Sequence, residues 1–78
     1  MREKRPALVI AFENVTDALA VEKHCQVNGL PGRIIPIPRE ITAGCGLAWK
    51  AEPGDRDALL PALDGAGLAY SGSYIVLL

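Results

Sequence analysis

The sequence predicts an α+β fold whose elements run strand, helix, strand, strand, helix, strand. Three observations predict it. Residues Ala7 to Phe12 are apolar at every position, two later segments repeat apolar side chains at helical spacing, and the run Ile34-Ile35-Pro36-Ile37-Pro38 between those segments is β-branched and marked by two prolines.

The first run is short, contains Val and Ile, and reads as a central strand covered on both faces. Asn14 or Thr16 can cap the element that follows, and Asp17 puts a negative charge where the helix dipole favours it. A helix is predicted from about Val15 to Val27, stopped by Asn28-Gly29 with Pro31 just beyond. At 100° per residue, Val15, Ala18, Val21 and Cys25 share one side, whereas Lys23, His24 and Val27 turn away. Gly32 to Pro38 forms the second strand, and its prolines, which cannot donate to a ladder, confine it to a sheet edge.

The third strand starts after Cys45-Gly46 and runs from Leu47 to Glu52. Its alternation sets Leu47 and Trp49 on one face and Lys50 and Glu52 on the other. Pro53-Gly54-Asp55 breaks the chain, and Ala58, Leu59, Ala62, Leu63 and Ala66 then recur at helical spacing. Pro61 inside that stretch deletes a hydrogen bond and crowds the preceding turn, so a short or kinked helix is expected. The last strand is read from Tyr70 to Leu78. With right-handed crossovers, this order folds as a ferredoxin-like sandwich: a four-stranded antiparallel sheet, two helices on one face, strands one and three central and strand two at an edge. Strand one is apolar on both sides, yet the helices cover only one face. The other face is therefore expected to expose an apolar patch suited to self-association or docking.

Size and charge restrict the function classes. A chain of 78 residues makes a single domain, with residues 1–5 expected to be flexible, and folding removes only about 60–65% of the surface exposed by the unfolded form. Eight Lys plus Arg against nine Asp plus Glu give a net charge of -1. That balance supplies no broad positive field for a nucleic-acid backbone. The apolar run near the start is too short for a signal peptide and ends at Glu13-Asn14. No stretch approaches the ~20 apolar residues of a membrane span, and a cytoplasmic protein with reduced thiols is expected. Two cysteines and one histidine cannot close a zinc site, and no cofactor is called for.

The candidate site is Cys45 in Thr42-Ala43-Gly44-Cys45-Gly46. Flanking glycines free the backbone and leave the sulfur unshielded by neighbouring side chains. An accessible thiol suits sulfur-transfer or redox chemistry, and nearby cations favour its reactive thiolate form. Arg39, Lys50 and Arg33 are the candidate cations, with Thr42 a candidate hydrogen-bond donor. The alternative is a tight bend whose cysteine is a small buried hydrophobe. Cys25 lies on the apolar side of the first helix and reads as core. Gly29-Leu30-Pro31-Gly32 ends a helix and starts a strand, the reverse of a phosphate-binding loop.

Ala18-Leu19-Ala20-Val21-Glu22-Lys23, Gly29 to Arg39, and Ile41-Thr42-Ala43-Gly44-Cys45-Gly46-Leu47-Ala48 resemble the small bacterial selenium/sulfur carrier protein-like family. The likeness spans strand one through strand three and weakens after Glu52. The Pro-x-Pro-Arg segment followed by Thr-x-x-Cys-Gly is its most specific part. The resemblance implies that Cys45 carries sulfur or selenium as a persulfide or selenopersulfide. Arg39 and Lys50 would then stabilise the anion, and Gly44 and Gly46 would admit the donor. It also implies association with TusA-like sulfur carriers, whose Cys-Pro-x-Pro motif this chain lacks. The implied partners are a cysteine desulfurase or related donor and an acceptor enzyme, with the chain a co-substrate rather than an enzyme that turns over. A non-catalytic interaction module using the open sheet face, and a thiol redox sensor, are the competing readings.

Overall fold

A computed structural model describes residues 4–41 and 45–78. Strand β1 covers Pro6–Ala11, helix α1 Val15–Asn28, strand β2 Arg33–Pro36, strand β3 Leu47–Ala51, helix α2 Arg56–Gly65 and strand β4 Gly72–Leu77, with a 3-10 turn at Pro53–Asp55 leading into α2. The strands form one sheet in the order β2-β3-β1-β4, and every neighbouring pair is antiparallel. This is an α+β arrangement with the strand order of a ferredoxin-like fold, and β2, with Pro36 in it, lies at an edge as its prolines require.

Register distributes the side chains. Directly opposed residues of an antiparallel pair project from the same face, so Leu8 with Ala51 and Ile10 with Trp49 share one face. Against it pack Ala18, Val21 and Cys25 of α1 and Leu59 and Leu63 of α2, making the principal core with Phe12. Helix α1 ends at Gly29, whose φ of 66° is left-handed and favours glycine, while the Leu30 amide donates to the Cys25 carbonyl at 2.9 Å. Its start is held by Asn14, whose Oδ1 accepts the Asp17 amide at 2.9 Å.

Helix α2 is ten residues long, shorter than the fourteen of α1, and includes Pro61 in its second turn, in keeping with the short helix expected; the proline leaves the Asp57 carbonyl without its amide donor. Three expectations change. Val15, expected on the buried side of α1, is 46% exposed, because it is the first residue of the helix and lacks a turn before it to seal its flank. Strands two and four are shorter than read, beginning at Arg33 and Gly72.

The third change concerns the sheet face opposite the helices. Val9, Ala11 and Ala48 are fully buried there, joined by Ile41 and Val76 with Ile35, Ile37 and Leu78 packed around them. After β2 the chain turns back over this face: the Ile37 amide donates to the Gly46 carbonyl at 2.9 Å, and the Ile41 amide closes a turn on the Pro38 carbonyl at 3.0 Å. The centre of the face is thus a second small core rather than an exposed patch. The large exposed apolar residues on strands are Tyr74, Ile75 and Leu77 of β4. Among the described residues, no helix is long and apolar enough to cross a membrane. The expectation for residues 1–5 falls partly on 1–3, outside the described residues; Arg5 exchanges backbone hydrogen bonds with Leu78, both at 3.0 Å.

Candidate functional site

Cys45 stands just before β3, at the end of the sheet where β1 finishes. Its amide donates to the Phe12 carbonyl at 3.0 Å, which ties it to the chain entering α1. Its side chain is partly buried against the principal core, on the helix-bearing side, and Sγ lies 3.9 Å from the Leu47 carbonyl, a weak S–H donor geometry. Gly46 follows with φ of 88°, and a Cβ there would meet nothing within 4 Å. Glycine is needed at 46 for backbone conformation and not for space.

Cys25 differs from Cys45 in its burial. It is fully buried among α1, the sheet and α2, and burial pushes its thiol above the ordinary range, against thiolate formation. Of the two free thiols, Cys45 is the one with partial solvent access.

The predicted cations are dispersed. Lys50 lies three residues into β3 from Leu47, roughly 10 Å along the strand, with Cys45 further back. It also faces the other way: Lys50 opposes Val9 and Arg33, and Val9 belongs to the face away from the helices. Arg33 shares that position at the far end of the sheet. Strand parity carried this signal, since 45, 47 and 49 have one parity and 50 the other. Arg39 is exposed in the turn between Pro38 and Ile41. Thr42 and Gly44 lie outside the described residues. Among the described residues, no group of three or more His, Cys, Asp or Glu side chains could hold a metal ion.

Gly32, which the sequence reads as the start of the second strand, has a packing role. Its φ is 118°, and a Cβ there would overlap the Trp49 indole nitrogen and lie 2.6 Å from the Lys50 carbonyl oxygen. The indole N–H donates to the Pro31 carbonyl at 3.0 Å. Gly32 thus lets Trp49 close the β2 edge of the core. Tyr70, after α2, donates its hydroxyl to Asp64 at 3.0 Å. Burial and then this carboxylate raise its pKa.

The family described as "Putative Se/S carrier protein-like" matches residues 7–75. The chain belongs to this Se/S carrier-like family. The match reaches into all four strands and both helices, from Ala7 in β1 to Ile75 in β4, and so extends beyond the part before Glu52. No curated protein matches the chain, and no solved structure does. The family's description points to a carrier of selenium or sulfur, and in this chain the side chain best suited to carry either is a thiol.

Proposed function

We propose that this Se/S carrier-like protein holds a sulfur or selenium atom on Cys45 and passes it from a donor to an acceptor protein. The observation that supports the reading is the contrast between its two thiols. Cys25 is sealed in the core, whereas Cys45 is only partly buried, beside Gly46 at the end of the sheet. A carrier needs a thiol that two partners can reach in turn, and neither step needs a pocket enclosing a small substrate.

For sulfur the transfer is balanced without an external oxidant. The Cys45 thiolate attacks the outer sulfur of a donor persulfide, R–S–S⁻. The bond between the donor's two sulfurs breaks, a Cys45 S–S bond forms, and the donor leaves as a thiolate. Attack by an acceptor thiolate on the outer sulfur reverses the sequence and restores Cys45. Selenium follows the same path as a selenopersulfide. Arg39 stands on the exposed turn between Ile37 and Ile41, which pack over the face opposite the helices, and Lys50 and Arg33 belong to that face as well, so none of the three is assigned to steady the anion.

Intact-mass measurement after incubation with a cysteine desulfurase and cysteine tests this reading. One added sulfur on the wild type, removed by reductant, absent from Cys45→Ser and retained by Cys25→Ala, is the expected result. An unmodified wild type, or an adduct that survives in Cys45→Ser, overturns it.

A further inference from the structure

The end of the sheet remote from Cys45 carries a charge arrangement that the fold alone does not require. Arg33 of β2 and Lys50 of β3 are directly opposed partners, and like charges in that relation destabilise a strand pair. On the same side of the sheet, Arg5 at the entry to β1 joins them around a hollow of ≈ 400 Å³, with Ala7 and Leu78 as apolar lining and Glu52 as its acidic member. A second hollow of ≈ 320 Å³ adjoins the same pair and adds Asp55. The Asp55 carboxylate is turned back on its own chain, where Oδ2 accepts the Glu52 amide at 3.0 Å. Among the described residues, the side chains that line the first hollow include three cations and one carboxylate, with the Asp55 carboxylate beside the adjoining one.

The topology explains why they meet. Strands β1 and β2 start at the end of the sheet where β3 finishes, so Arg5, Arg33 and Lys50 converge from three segments far apart in sequence. Guanidinium groups offer paired, planar donors that match carboxylate and phosphate oxygens, and the ammonium adds a point charge. An anion between them would convert the repulsive pair into a clamp.

We infer that the hollow bounded by Arg5, Arg33 and Lys50 binds a small, multiply charged oxyanion. The site is separate from Cys45 and stands whether or not Cys45 carries sulfur. Phosphate-type and polycarboxylate ligands share the required chemistry, and the probes distinguish them.

The full chain, labelled with ¹⁵N, is titrated with pyrophosphate and in parallel with citrate, at constant ionic strength set by sodium chloride. Saturable shifts centred on the amides of Ala7, Arg33 and Lys50, and a melting temperature that rises with ligand concentration, are expected in at least one arm. Saturation by pyrophosphate alone assigns a phosphate ligand, and saturation by citrate alone a polycarboxylate. Lys50→Gln and Arg33→Gln should each weaken binding tenfold or more while raising the melting temperature of the ligand-free protein, since each removes the like-charge pair. Cys45→Ala should bind as the wild type does. Shifts that fail to saturate in both arms, or an affinity unchanged in Lys50→Gln, overturn the inference.

Discussion

Two glycines with left-handed backbone angles separate conformational need from spatial need at single-residue resolution. Gly46 has φ of 88° with open space where a side chain would be, whereas Gly32 has φ of 118° with the Trp49 indole and the Lys50 carbonyl oxygen in that space. Alanine at 46 meets only the backbone penalty, about 1–2 kcal/mol. Alanine at 32 adds a collision with a backbone oxygen and with a buried indole already hydrogen-bonded to Pro31. Overpacking of that kind costs roughly a further 1–3 kcal/mol. Urea unfolding of the two variants should rank Gly32→Ala as clearly the less stable, and its tryptophan fluorescence should shift because Trp49 is the chain's single tryptophan. Equal losses would mean that the Trp49 contact does not constrain the edge.

At the scale of elements, capping chemistry explains where α1 begins. The sequence offered Asn14 and Thr16 as caps; the structure uses Asn14, whose side chain accepts the Asp17 amide three residues on, with Thr16 inside the helix. Replacing Asn14 by Ala should therefore cost about 1 kcal/mol, while Thr16→Ala should change stability by much less, as measured by denaturant midpoints. Comparable losses at the two positions would contradict the assignment. The same comparison shows which features were legible. Proline punctuation placed β2 at the edge, and Asn28-Gly29 marked the end of α1, because both signals act within a few residues of chain. The exposure of Val15 follows from its place as the first residue of α1, with no preceding turn to seal its flank, and a helical period alone carries no such information. At the candidate site, the Gly-Cys-Gly segment singled out Cys45, and the structure gives it partial access beside a left-handed Gly46. Of its candidate cations, strand alternation sends Lys50 and Arg33 to the opposite face.

Over the whole molecule, a four-stranded sheet with helices on one side must still manage the other side. Val9 and Ala11 of the central strand are fully buried there, although no helix covers them. The protein solves this with the chain that leaves β2: Ile37 and Ile41 pack with Ile35, Ala48, Val76 and Leu78 over part of the face, and the cationic hollow occupies the end beyond. This division makes Ile41, only 7% exposed although it belongs to no strand or helix, a covering residue for a second core. Truncating a buried aliphatic side chain costs about 2–5 kcal/mol in a rigid interior, and a site at the edge of a cluster can relax toward the lower end. Ile41→Ala should accordingly lose about 2 kcal/mol in urea unfolding. Ile41→Asp should also increase binding of an apolar dye and move sedimentation toward larger species, because a charge cannot stay over Val9 and Ala11 and the segment must lift away from them. A stable, monomeric Ile41→Asp protein that binds no more dye than the wild type would show that the sheet face stays dry without this cover, and that the covering role belongs to other residues.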